Sequence, residues 1–377
     1  MKAVKIEELK PGISFTAPVY VDGENLFIPE DIPVREKDIL RLKKWQVKAV
    51  FTEGEMINPN DGSALFRSVA DTPEQRETAE AFSKILETMR QVFNSISEKG
   101  EVDTQKIDDL VDVLISLLEN RKNETIKHIL YGVTGEGGYA ENSVNCAVFS
   151  LMIAQNMGMV QHKMIQLATG ALLHDVGMLR MPEKLLVKRG KLDRMELQTM
   201  KTHTVHTYKI ITKELKYPEA IGQIGLQHHE RWDGEGYPKT LSGSNITLAA
   251  RIVAVADAFE AMISERPYRS PMIGYTAMRA ILSDNSRRFD PEVLKAFIKS
   301  MGIYPIGSIV LLNNASIGRV QEHNSASPLR PKVKILIDSA GKRFDKDDGG
   351  TVDLQKNRKL FIAKAVNPKD LVEKMKK

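Results

Sequence analysis

The feature that most constrains this chain is an ordered series of imidazoles and carboxylates: His174-Asp175, His203, His228-His229 and Asp257. Five of the eight histidines lie between 174 and 229, so the series is not a product of composition. Interleaved in this way, these residue types suit a two-metal hydrolytic site. Hydrolysing a phosphodiester requires a water made nucleophilic near neutral pH and a clamp for charge developing on phosphate oxygens. Two divalent ions about 3.5–4 Å apart supply both. Just past the histidine pair the chain reads Asp233-Gly234-Glu235-Gly236-Tyr237-Pro238, where two glycines and a proline mark a shaped turn. An isolated His-Asp pair would read as a helix surface; the complete set reads as a site.

The pattern along the chain is mainly helical. Residues 1–58 read as a small α+β module, with Phe15 to Val21 and Asn25 to Ile28 flanking the turn signal Asp22-Gly23. Within it, Ile39, Leu42 and Trp45 have helical spacing, and Val47 to Phe51 reads as a strand. Residues 59–122 read as a linker and a helical hairpin, with a dimer seam as the alternative for the hairpin's apolar faces. The first of its helices is expected to start at Thr72, with Pro73 in the first turn and Gln75 completing a capping box. Residues 123–305 read as a helical catalytic domain. From Ile306 the pattern changes: Ser308 to Leu312, Gly318 to Gln321, Lys332 to Ile337 and Lys359 to Ala363 read as strands of a β appendage, and a charged tail runs to 377.

At 377 residues, two or three domains are expected. No apolar run approaches the ~20 residues of a membrane span. The start of the chain lacks the apolar stretch of a signal peptide. Cys146 is the only cysteine, so no intrachain disulfide forms, and a reducing cytoplasm is the expected location. A net charge of +5 suits an anionic small ligand and is too weak to argue for a nucleic acid polymer.

Ala171-Leu-Leu-His174-Asp175-Val-Gly-Met178 resembles the opening motif of the HD superfamily of metal-dependent phosphohydrolases. His228-His-Glu-Arg-Trp-Asp-Gly-Glu-Gly-Tyr-Pro238 and Arg266-Pro-Tyr-Arg269 are similar to signatures of its HD-GYP branch. The resemblance covers roughly Tyr139 to Tyr304. It implies a helical core, bacterial cyclic di-GMP phosphodiesterase activity by metal-activated water, and divalent transition metals, iron or manganese first and zinc as an alternative. It further implies that Asp175 bridges two ions, that His203, His228 and His229 hold one, and that His174 and Asp257 hold the other. His174 and Asp175, adjacent on a predicted helix, point about 100° apart and so can feed both ions. Gly236 and Tyr237 of the loop, with Arg266 and Arg269, would contact the substrate, since guanidinium forks suit phosphate.

Two positions depart from that family. Asn142 stands where the family has a further histidine ligand, and an amide oxygen is a poorer transition-metal ligand than imidazole. With Gly138 one turn earlier, a third metal is not expected, so the chain should hold one or two ions. Met178 stands where the family has a phosphate-contacting lysine; Arg180, Lys184 and Lys188 are the nearby cations in sequence. The departures keep a second reading open: a catalytically degenerate receptor that binds cyclic di-GMP or metal and signals through a protein partner. A different phosphorylated nucleotide is a third.

Overall fold

The computed structural model describes all residues except 11–12, 16, 23–24, 30–31, 33, 46, 55, 58–72, 99–101, 132–137, 189, 265–271, 284–286, 345–348 and 367–377. The expected linker at 59–72, the capping residue Thr72, both Arg266 and Arg269, and the charged tail beyond 366 lie outside the described residues. The chain divides into two compact units, one built on residues 1–70 and one on 71–365.

In the first unit, β1 (Lys2–Lys5), β5 (Ala49–Thr52), β3 (Val19–Tyr20) and β4 (Leu26–Ile28) form one antiparallel sheet in that order. A second pair joins β2 (Ser14–Phe15) to β6 (Met56–Ile57). The helix α1 (Glu36–Lys44) lays Ile39 and Leu42 into a core with Phe15, Val19 and Val50. Asp22 secures the β3–β4 connection by accepting from the Asn25 backbone N–H at 2.9 Å.

The second unit begins with α2 (Pro73–Ser97) and α3 (Thr104–Tyr131). Phe82, Met89 and Ile96 of α2 and Ile107, Leu114 and Leu118 of α3 are buried in one core with the helices that follow. Each such side chain contributes roughly 1.5–3 kcal/mol when buried. The boundary expected at 122/123 falls within α3, next to a kink at Arg121 (φ −141°, ψ 40°).

Next come α4 (Tyr139–Asn156) and α5 (Gln161–Leu173). Every residue of α4 from Ser143 to Ala154 is buried, as expected of a helix that is apolar nearly all round. Then follow α6 (Glu183–Leu186), α7 (Arg194–Lys201), α8 (His203–Lys209) and α9 (Glu219–Gln227). The last helices are α10 (Leu248–Ile263), α11 (Gly274–Ser283) and α12 (Pro291–Met301). Their starts are written locally. Asp193 and Glu196 form a reciprocal capping box on α7, and Asp290 caps α12 ahead of Pro291. Among the described residues, no helix is long and apolar enough to cross a membrane.

The unit ends in a five-stranded antiparallel sheet, ordered β10 (Thr351–Asp353), β9 (Lys332–Ile337), β8 (Ile317–Glu322), β7 (Ile309–Leu312), β11 (Ile362–Ala365). Two details correct the sequence reading. The strand β10 was not expected, and the last strand starts at Ile362 rather than Lys359. Asn313 explains the late start: its side chain donates to the Lys359 carbonyl (3.0 Å) and accepts from Phe361 N–H (3.0 Å), so these backbone groups serve a turn.

Candidate metal centre

The six expected residues come from four places in the helical core. His174 keeps helical geometry (φ −57°, ψ −33°) just after α5, and Asp175 breaks it (φ −108°, ψ 9°) ahead of a 3-10 turn at Val176–Arg180. The pair therefore sits at the end of a helix, not within one as expected. His203 opens α8, His228 and His229 follow α9, and Asp257 lies midway along α10.

Small residues let these segments meet. A Cβ on Gly177 would lie 2.1 Å from the His203 carbonyl oxygen, and the Gly177 N–H donates to Thr207 Oγ1 at 2.9 Å. A Cβ on Gly225 would lie 2.3 Å from Thr207 Cγ2. Glycine at both places seats the His174-Asp175 segment and α9 directly on α8.

Three histidines are oriented by one device. Nδ1 donates to the carbonyl three residues earlier: His174 to Ala171 (2.7 Å), His203 to Met200 (2.7 Å) and His228 to Gly225 (2.8 Å). A carbonyl can only accept, so Nδ1 carries a proton and Nε2 is the ring atom left to face the centre. The Nε2 atoms of His203 and His228 stand 3.3 and 3.4 Å from Asp175 Oδ1. That of His174 stands 3.8 Å from Asp175 Oδ2 and 3.7 Å from Asp257 Oδ1. Asp175, His203, His228 and His229 bring ligand atoms within 4.8 Å of one another. Asp175 Oδ1 and the Nε2 atoms of His203 and His228 are buried without a hydrogen-bond partner among the described residues. Buried polar atoms left this way are costly, and a divalent cation would satisfy all three. Imidazole with carboxylate suits iron, manganese or zinc.

The electrostatics show the same strain between burial and charge. Burial alone would deprotonate His174, but Asp175 and Asp257 outweigh it and raise its pKa to about 9. Asp257 is lowered to about 2, because His174 outweighs the burial that opposes ionisation. Asp175 is likewise held well below the usual carboxylate range against its burial, by His174, His203 and His228. His229 is pushed well below the usual histidine value by burial and then by His228.

Asn142 lies on α4 beside a buried carboxylate rather than contributing an imidazole. With its amide nitrogen toward Glu260, it donates to Glu260 Oε1 (3.2 Å) and to the Gly138 carbonyl (3.3 Å). Asn145 donates to the same oxygen at 3.4 Å, and Ser264 also does so. Glu260, one turn after Asp257, was not singled out by sequence reading; only its helical spacing from Asp257 could have signalled it. Met178 lies in the 3-10 turn. Arg180 donates to the Ser97 carbonyl and Glu214, and Lys188 to Glu196, so both are engaged elsewhere; Lys184 is exposed.

The Tyr237 ring lies 4.8 Å from that of His229 and 6.4 Å from that of His203. Its backbone N–H donates to the His229 carbonyl at 3.2 Å. Gly236 packs so closely that a Cβ there would lie 2.4 Å from Arg231 N. Buried Glu230 clamps the loop by accepting from the backbone N–H groups of Lys239 (2.6 Å) and Leu241 (3.0 Å). Sequence reading passed over Glu230, although it lies within the motif. His206 is not part of the ligand group and is half-buried.

The HD domain family matches residues 112–293, and the KOW domain associated with HD domains matches 309–374. Cyclic di-GMP phosphodiesterase PdeB of Borreliella burgdorferi is 26% identical over 351 residues, covering 93% of this chain and 92% of its own. Cyclic di-GMP phosphodiesterase PA4108 of Pseudomonas aeruginosa is 30% identical over 276 residues, covering 73% of this chain and 66% of its own. The 3'3'-cGAMP-specific phosphodiesterase 3 of Vibrio cholerae is 35% identical over 167 residues, covering 44% of this chain and 36% of its own.

Proposed function

The chain belongs to the HD-GYP family of HD-domain phosphohydrolases, and from that premise we propose that it is a metal-dependent phosphodiesterase of cyclic di-GMP. The supporting observation is the group of inward lone pairs on His203 and His228 around Asp175 Oδ1. Asp175 would be shared by two ions, with His203, His228 and His229 on one and His174 and Asp257 on the other. Iron or manganese is the expected metal. Such ions, when bound, supply Lewis acidity and a water acidic enough to react near neutral pH. The protein's own part is to aim Nε2 of His174, His203 and His228 at the centre through their Nδ1 bonds, and to keep the carboxylates ionised. Tyr237, Gly236, Arg266 and Arg269 would position the dinucleotide, with Tyr237 offering a ring face to a base or its hydroxyl to phosphate. Residues 123–305 would carry this chemistry, and the first 58 would be a separable module.

Anaerobically purified protein should contain at least one iron, manganese or zinc per chain and should linearise or fully cleave cyclic di-GMP. Cleavage of 3'3'-cGAMP in preference would move the substrate to another cyclic dinucleotide. The engagement of Asn142 with Glu260 supports a second reading, in which the protein binds the dinucleotide without turning it over and signals to a partner. Tight binding with no product over hours in metal-replete protein would favour that reading.

A further inference from the structure

With Met178 at the family's lysine position, the centre lacks the cation expected there, and the described cations next in sequence are engaged or exposed. Two other cations border the loop that carries Tyr237. Lys201 closes α7, two residues before His203. It is half-buried, and its Nζ lies 5.0 Å from the Tyr237 ring centroid. Arg288 precedes α12. Its carbonyl accepts from Trp232 N–H at 2.9 Å, which ties this turn to the loop carrying Tyr237. The Arg288 guanidinium packs 5.0 Å over the Phe289 ring. Neither cation has an ion-pair partner among the described residues. Tyr237 in turn packs on His229. An aromatic face holds a cation without neutralising it, whereas a carboxylate would cancel its field.

The geometry points to Lys201, over the Tyr237 ring, and Arg288, held by its backbone to the same loop, as substrate-phosphate cations that take over the charge Met178 does not carry. This rests on the reading of the centre as a phosphodiesterase site. It adds two residues, distant from each other in sequence, to the part of the site that would recognise a phosphodiester anion.

The test uses full-length, manganese-loaded protein carrying Lys201→Met or Arg288→Met, which keep an apolar stem and remove the charge. Lys201→Arg is the conservative control. KM and kcat are measured on cyclic di-GMP and on bis(p-nitrophenyl) phosphate at several salt concentrations, with metal content in parallel. Each methionine variant should raise KM about tenfold or more, the scale of one hydrogen bond to a charged group, and flatten the salt dependence. Metal content should hold and Lys201→Arg should stay near wild type. Adding Met178→Lys to Lys201→Met should recover part of the loss. Unchanged KM on both substrates in both methionine variants would overturn the assignment. A wild type that cleaves the nitrophenyl diester but not cyclic di-GMP overturns the dinucleotide reading alone, and the variants then decide on the nitrophenyl substrate. A wild type that cleaves neither overturns the catalytic reading. Calorimetric titration with inorganic phosphate then decides whether the two cations bind phosphate.

Discussion

The two halves of the centre share Asp175 but are built differently. Around His203, His228 and His229, three imidazoles gather at the Asp175 carboxylate, two of them with Nε2 3.3 and 3.4 Å from its Oδ1 and Nδ1 held by a backbone carbonyl. Around His174 and Asp257 there is one imidazole, and the neighbouring position on α4 holds Asn142, whose amide is engaged with Glu260. Where the family resemblance implies an imidazole, Asn142 instead braces the Glu260 carboxylate one turn after Asp257. The first half should hold its ion firmly and the second loosely.

The sharpest way to break this comparison is to remove the strong half. His228→Ala with His229→Ala should eliminate stoichiometric metal and any phosphodiesterase activity. Elemental analysis showing a full complement of metal in that variant would refute the ligand assignment. Gly177→Ala attacks the shared carboxylate instead, because the added Cβ meets the His203 carbonyl. Overpacking of this kind costs about 1–3 kcal/mol. We expect a lower melting temperature and reduced metal content together; a stable variant with full metal would mean the segments can separate without harm to the centre.

Asn142→His should strengthen the weak half, raising metal occupancy and rate. Loss of a supporting partner alone costs ~10–100-fold, so a regained ligand should give at least the lower end of that range. Unchanged occupancy and rate would show that the half-site does not use a ligand there.

Proton competition sharpens the same contrast. With its pKa raised to about 9, His174 is protonated at pH 7 in metal-free protein, and metal must displace that proton. Affinity of the weak half should rise roughly tenfold per pH unit up to that value, then level. In metal-free protein the sign for stability is the reverse. The contribution of protonated His174 is full below its ordinary value near ~6.5, and is lost as pH rises through about 9. A metal affinity that is flat between pH 7 and 9 would show that His174 is already neutral. The smallest effect expected is from deleting residues 1–70, which form a compact unit apart from the ligands. Metal content should not change, and its loss from a folded, soluble truncation would contradict the separation.

Residue order and periodicity determined a good deal alone. The helical character of the residues around the His and Asp series and the sheet from Ile309 onward were legible because they are local patterns with periods of 3.6 or 2, while the ligand roles and the departures Asn142 and Met178 came from the family resemblance. The sequence pattern placed His174 and Asp175 together on a helix, whereas the helix ends between them where Gly177 packs on α8. It could not see Glu260 as the partner of Asn142, nor Lys201 lying over the Tyr237 ring, nor the Arg288 carbonyl bonded to Trp232 of the same loop. Those relations join residues far apart in the chain. Only the tertiary structure decided them, because interhelical approach depends on how side-chain volumes and glycines fit, and no spacing in the sequence encodes that distance.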